Sequence, residues 1–282
     1  MLAVTALASL HPTALAVAGT TAARRDVVAS FYPLAYAAAR VGGDRVRVTN
    51  LTPAAAEPHD LELSPAQMDA LLDAALVVEM GHGFQPAVEQ AAEERDGPTV
   101  TVLGSRDASD PHVWLDPVRM AGIVTDVQRA LTKLDPHGGA AYRANANAFR
   151  AELDELNARY RAGLADCARK IIVTSHEAFG YLAHRYGLRQ EGVSGISPDA
   201  EPDPKRIAQL ADLVKRKHVT VVFTETLVSP RLAETLAREA GVKTEVLDPL
   251  EGLTTDAQQH GASYLTVTDD NLKKLRAALG CK

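Results

Sequence analysis

Short apolar runs alternate along this chain with stretches in which apolar side chains recur every three or four positions, and the alternation holds from Asp26 almost to the C-terminus. Runs of the first kind read as strands buried on both faces, and the second kind as helices with one apolar face. Strands are expected at 27–30, 45–51, 75–79 and 99–103, separated by helices over 33–40, from 65 onward and over 85–94. The second half repeats the pattern, with strands at 170–174, 188–193, 219–223 and 243–247 and helices at 177–186, 204–215, 230–240 and 270–279. Ser64 before Pro65 supplies a helix N-cap followed by proline at the first helical position, the preferred place for each. Strands and helices in turn, with short connections, predict mostly parallel sheets covered on both faces.

Between the halves lies the most strongly periodic stretch. A helix is expected from Asp116-Pro117 to about Leu134, and another restarts at Asp135-Pro136 and carries Tyr142, Phe149, Leu153, Leu156, Tyr160 and Leu164 on one face. At about 1.5 Å per residue the second helix spans on the order of 40 Å, too long for the flank of one small domain. The expected fold is therefore α/β: two lobes, each a mostly parallel sheet flanked by helices, joined by one long spine helix. The boundaries read as leader 1–25, N-terminal lobe 26–135, spine 136–168 and C-terminal lobe 169–282.

Of 282 residues 46% are hydrophobic, and 30 basic side chains face 36 acidic ones. The mildly acidic balance and the lack of a Lys/Arg-rich run argue against nucleic acid as a partner. Residues 1–22 carry no charge and include Ala16-Val17-Ala18 as a cleavage site, which reads as an export signal without the usual basic start. No cysteine precedes Cys167, so no N-terminal lipid anchor is expected, and no apolar run approaches the ~20 residues of a membrane span. In an exported chain with only two cysteines, Cys167 and Cys281 are expected to form a disulfide.

Candidate chemistry centres on Asp110-Pro111-His112-Val113-Trp114-Leu115-Asp116-Pro117, which holds the only tryptophan. His112 there, His59 in Glu57-Pro58-His59-Asp60, His176 after the strand at 170–174, and Asp248 after the strand at 243–247 all fall beyond carboxyl ends of strands, where open α/β sheets bind ligands. Singly each is weak, since a lone loop histidine is usually a surface or hydrogen-bonded residue. Together they fall two per lobe, and three imidazoles with one carboxylate form a tetrahedral set for a borderline-soft divalent metal. Glu57 and Glu225 are candidates for a weak ligand or a supporting hydrogen bond. His176-Glu177 does not open a metalloprotease motif, because position 180 is Gly180. His82, His184, His218 and His260 read as surface or packing residues, and His137, although Asp135-Pro136-His137 imitates the earlier tripeptide, is assigned to helix initiation. A hydrolase would need an open metal position and Glu57 or Glu177 as base, whereas a carrier needs a closed shell; a surface adhesin is compatible with the same fold.

The succession Ser30-Phe31-Tyr32-Pro33, Glu57-Pro58-His59-Asp60, residues 110–117 as above, Thr174-Ser175-His176, Glu201-Pro202 and Leu247-Asp248-Pro249-Leu250 resembles the zinc/manganese-binding solute-binding proteins of ABC importers, the cluster A-I group. The resemblance covers nearly everything after the leader. It implies two lobes joined by a rigid helix with a metal held between them, and His59, His112, His176 and Asp248 at the ligand positions. It also implies delivery to an ABC transporter membrane permease, a periplasmic or extracytoplasmic location, a monomer, and no enzymatic activity. A histidine at the third position implies Zn²⁺, with Mn²⁺ less favoured. The chain departs from many zinc members in that its segment 104–110 is short and holds no histidine, where they carry a long His- and Asp-rich loop.

Overall fold

The computed structural model describes residues 24–104, 109–198, 200 and 203–282. The expected leader up to residue 23, Glu201-Pro202 and most of the short 104–110 segment lie outside the described residues.

The first lobe runs β1 (Arg25–Ala29), α1 (Tyr32–Gly42), β2 (Val46–Asn50), α2 (Pro65–Leu72), β3 (Leu76–Glu79), α3 (Pro86–Glu93) and β4 (Thr99–Thr101). Its strands pair in parallel in the order β2-β1-β3-β4. Then come α4 (Pro117–Leu134) and α5 (Gly139–Ala165), followed by β5 (Ile171–Thr174), α6 (Gly180–Arg185), β6 (Arg189–Gly192), α7 (Pro204–Arg216), β7 (Val221–Thr224), α8 (Arg231–Ala240) and β8 (Lys243–Val246). The second sheet is again parallel, in the order β6-β5-β7-β8, so the two lobes share one strand order. Two more helices, α9 (Thr255–Gln259) and α10 (Tyr264–Leu279), close the chain.

Local chemistry explains the helix starts. Ser64 accepts from the Gln67 amide while Gln67 reaches back to the Ser64 amide, with Pro65 at the first helical position of α2. Asp116 caps α4 through the Val118 amide, again ahead of a proline. Two starts differ from expectation. The helix expected from 177 begins at Gly180, because the Glu177 amide is given to the Gly195 carbonyl and the His176 amide to Glu225. The last helix begins at Tyr264 instead of 270, on a Ser263–Thr266 capping box.

Helix α5 buries Tyr142, Ala146, Phe149, Leu153, Leu156, Tyr160 and Leu164, one stripe at three- and four-residue spacing. That stripe belongs to a single core with Phe31 and Trp114 of the first lobe and Phe179, Leu247 and Tyr264 of the second. Truncating a ring such as Phe149 in so continuous a core would cost about 3–5 kcal/mol. The lobes are also joined by hydrogen bonds: the Trp114 indole donates to the Pro249 carbonyl at 2.8 Å, and the Tyr264 hydroxyl donates to the Trp114 carbonyl at 2.6 Å. A Cys167–Cys281 disulfide ties the end of α10 to the loop leaving α5, flanked by main-chain hydrogen bonds from Ala168 to Gly280 and from Arg169 to Leu279. Among the described residues no helix is long and apolar enough to cross a membrane.

Candidate metal centre

Four loops leave the carboxyl ends of β2, β4, β5 and β8 and meet where the lobes face each other. Parallel strands aim these ends the same way, so residues far apart in sequence converge. Two of the loops use the same acid-proline-histidine turn. The Glu57 carboxylate accepts the His59 amide at 3.1 Å, and Asp110 accepts the His112 amide at 3.0 Å. Asp110 Oδ1 also accepts from His112 Nδ1 at 2.8 Å. Across the cleft, Glu225 at the end of β7 takes the His176 amide at 3.0 Å and His176 Nδ1 at 2.6 Å. Each of these two imidazoles thus spends its Nδ1–H on a carboxylate and directs Nε2 inward, the arrangement by which outer groups fix a ligating histidine.

The inward atoms form a tight cluster. Glu251 Oε1 lies 3.2 Å from His59 Nε2 and 3.3 Å from both His112 Nε2 and His176 Nε2, and the last two nitrogens are 3.3 Å apart. All four donor atoms fall within 4.8 Å of one another. His112 and His176 are fully buried and the Glu251 side chain is 1% exposed, whereas the His59 side chain is 10% exposed and marks the solvent side.

The carboxylates around the cluster favour the charged forms of the two buried imidazoles. At His176 burial opposes the charged form, yet hydrogen bonds to Glu225 and Glu251 carry its pKa up to about 10. At His112 burial is likewise outweighed by Asp110 and Glu251, and the pKa rises. Glu251 is driven upward by burial, but the three imidazoles hold it well below the usual carboxylate range. Burial and the Glu251 charge push Glu57 up to about 8. The second oxygens of Glu251 and of Glu57 are buried without a hydrogen-bond partner, a cost normally avoided unless a further ligand is to be met.

The structure brings His59, His112 and His176 together, but the carboxylate it sets among them is Glu251 and not the expected Asp248. Asp248 Oδ1 instead accepts the Leu250 amide at 2.7 Å, while its own amide donates to Asn271. That turn, followed by Leu250 at φ 58°, reverses the chain and delivers Glu251 to the imidazoles. Burial raises Asp248 to about 6, beside the centre but outside the cluster. Of the two supporting candidates, Glu225 holds His176 as described, and Glu57 stands 4.0 Å from His59 Nε2. Sequence reasoning missed Glu251, whose one signal is a lone acid between Leu250 and Gly252 in a loop already marked by Asp248. It also gave no role to Asp110, although its spacing to His112 repeats that of Glu57 to His59.

A family described as "Zinc-uptake complex component A periplasmic", ZnuA, matches residues 27–278. The chain belongs to the ZnuA family. Among its ZnuA relatives, the high-affinity zinc uptake system protein of Bacillus subtilis is 34% identical over 90% of this chain and 87% of its own length. The zinc-binding lipoprotein AdcA of Streptococcus pneumoniae strain R6 is 34% identical over 89% of this chain but 55% of its own length, so the chain spans about half of that relative. The crystal structure of the zinc-bound ZnuA-like domain of Streptococcus pneumoniae AdcA superposes with a TM-score of 0.79 at 35% identity, covering 91% of this chain and 99% of that one. The ZnuA family is periplasmic by its description and forms part of an uptake complex. That one ZnuA relative is named a lipoprotein runs against the expected absence of a lipid anchor.

Proposed function

We propose that this chain captures one Zn²⁺ between its lobes with His59, His112, His176 and Glu251 and delivers it to the membrane permease of an ABC importer. The observation that carries this is the size of the donor cluster. A tetrahedral ion with bonds of about 2.0 Å has six donor–donor edges of about 3.3 Å; four edges of this cluster are 3.2–3.3 Å, and all donor pairs lie within 4.8 Å. The donor types agree: three imidazoles and a carboxylate suit zinc better than manganese, a harder ion that favours oxygen and higher coordination.

Glu251 closes the fourth position, which supports a carrier over a hydrolase that must keep a site for water. Binding exchanges protons for metal: neighbouring carboxylates raise His176 to about 10 and His112 above its ordinary value, and both imidazoles must be neutral to ligate. The permease as partner is supported by membership in a family that forms part of an uptake complex. A monomer is supported by a donor set that comes wholly from one chain.

Metal analysis of the protein purified without a tag, together with thermal scans with and without zinc, tests the proposal. One zinc per chain and a zinc-induced rise in melting temperature are expected, and His112→Ala should lose most of that rise. An equal rise in the His112→Ala protein would remove the assignment.

A further inference from the structure

We infer that Gly180, in the second lobe, is a positioning residue for the metal centre: the space left by its missing side chain seats the Asp110 carboxylate that orients His112. The inference rests on the zinc-carrier reading above. A methyl group at position 180 would stand 2.7 Å from Asp110 Oδ2, well inside contact, while its next neighbours, Asp110 Cγ and the Gln190 amide oxygen, would be 3.9 and 4.0 Å away. Gly180 is not among the glycines with positive φ, so its backbone admits alanine, and it opens α6, where alanine is the better helix former. Only the Asp110 carboxylate obstructs a side chain there.

The same carboxylate holds His112 by both its amide and its Nδ1. The Tyr181 hydroxyl donates to the Asp110 carbonyl at 3.2 Å, so the main chain of Asp110 is pinned from the same helix. Crowding at 180 is therefore relieved by turning the carboxylate. It has room to turn, since an open cavity of about 690 Å³ lined by Asp110, Asp116, Arg119, Gly180 and Arg185 lies alongside. Once turned, Oδ1 leaves His112, and the imidazole loses the hydrogen bond that fixes its tautomer and its aim. A residue of the second lobe thereby governs a ligand of the first.

The test is a zinc titration against a competing chelator for wild type, Gly180→Ala, Asp110→Ala and the double variant, with nitrogen NMR of the His112 ring in the metal-free proteins. Gly180→Ala should bind zinc about tenfold more weakly, the low end of what loss of an orienting partner costs, and its metal-free melting temperature should fall no further than that of Asp110→Ala, which loses the same hydrogen bonds. The double variant should bind as Asp110→Ala alone does, because both changes remove one interaction. Wild-type zinc binding by Gly180→Ala, or losses that multiply in the double variant, would overturn the inference. Absence of zinc binding by wild type would overturn the carrier reading instead. The ring signal still decides in that case: an altered His112 Nδ1 resonance in metal-free Gly180→Ala supports the positioning role, and an unaltered one refutes it.

Discussion

Replacing Glu251 by Gln removes a negative charge and leaves the shape of the site intact, whereas Asp248→Asn preserves the oxygen that accepts the Leu250 amide. The two variants separate the carboxylate among the imidazoles from the one three residues earlier. At free zinc about 1,000-fold above the wild-type Kd, binding stabilises the fold by about 4.1 kcal/mol. Loss of an outer partner costs about 10–100-fold in affinity, and loss of a charged donor lying 3.2–3.3 Å from all three Nε2 atoms should reach at least the upper end. At the same zinc concentration a 100-fold weaker site retains only about 1.4 kcal/mol of stabilisation. At roughly 2–4 °C per kcal/mol, the zinc-induced rise should fall from roughly 8–16 °C in wild type to roughly 3–6 °C in Glu251→Gln. Asp248→Asn should keep the wild-type rise. The assay is differential scanning calorimetry with chelator-buffered zinc. A full rise in Glu251→Gln together with a lost rise in Asp248→Asn would refute the reasoning and restore Asp248 as the ligand.

Stability of the metal-free protein should decline between about pH 6.5 and 10: the folded pKa of His176 is raised to about 10, so its stabilisation is complete below the unfolded value near 6.5 and lost as pH rises through the folded one. Glu57, an acid raised to about 8, contributes a loss in the same direction over a lower window, and zinc should therefore add progressively more to the melting temperature as pH rises across this range. Reducing the Cys167–Cys281 bridge, whose cysteines are 114 residues apart, should cost up to about 5 kcal/mol in the chain-entropy description; equal denaturation midpoints for oxidised and reduced protein would contradict that role. His176→Glu exchanges a nitrogen donor for oxygen, so the preference for Zn²⁺ over Mn²⁺ should shrink by at least about tenfold, or 1.4 kcal/mol, in a two-metal competition titration, and an unchanged ratio in a folded variant would exclude His176 from the site.

The lobes and the long helix were legible because their signals are local. Strands buried on both faces, such as Val27–Ala29 and Leu76–Val78, must be apolar throughout, and the buried face of α5 must repeat with the helix period. The start of α6 was not legible, because Glu177 and Ala178 suit a helix and only partners in the loops after β6 and β7, Gly195 and Glu225, draw that backbone away. The early start of α10 was hidden by a capping box that uses Thr266 at the place where Glu or Gln is the usual signal. In the site, the histidines stood out because each follows a strand end. Glu251 did not, because its direction depends on Leu250 at φ 58°, a left-handed conformation that nothing in a leucine announces. Asp135-Pro136-His137 was legible as a helix start. It resembles the turns that carry His59 and His112, yet its carboxylate accepts the Tyr142 hydroxyl and serves the junction of α4 and α5.

Trp114, the one tryptophan of the chain, ties the lobes together, and its ring also stands 5.1 Å from that of His112. Its emission therefore comes from a single place, beside a ring of the proposed metal centre. A ligand entering at that imidazole changes the surroundings of the indole, so zinc entry should alter the chain's ultraviolet fluorescence. The protein carries its own optical gauge of occupancy, readable at every step of a titration with no label attached.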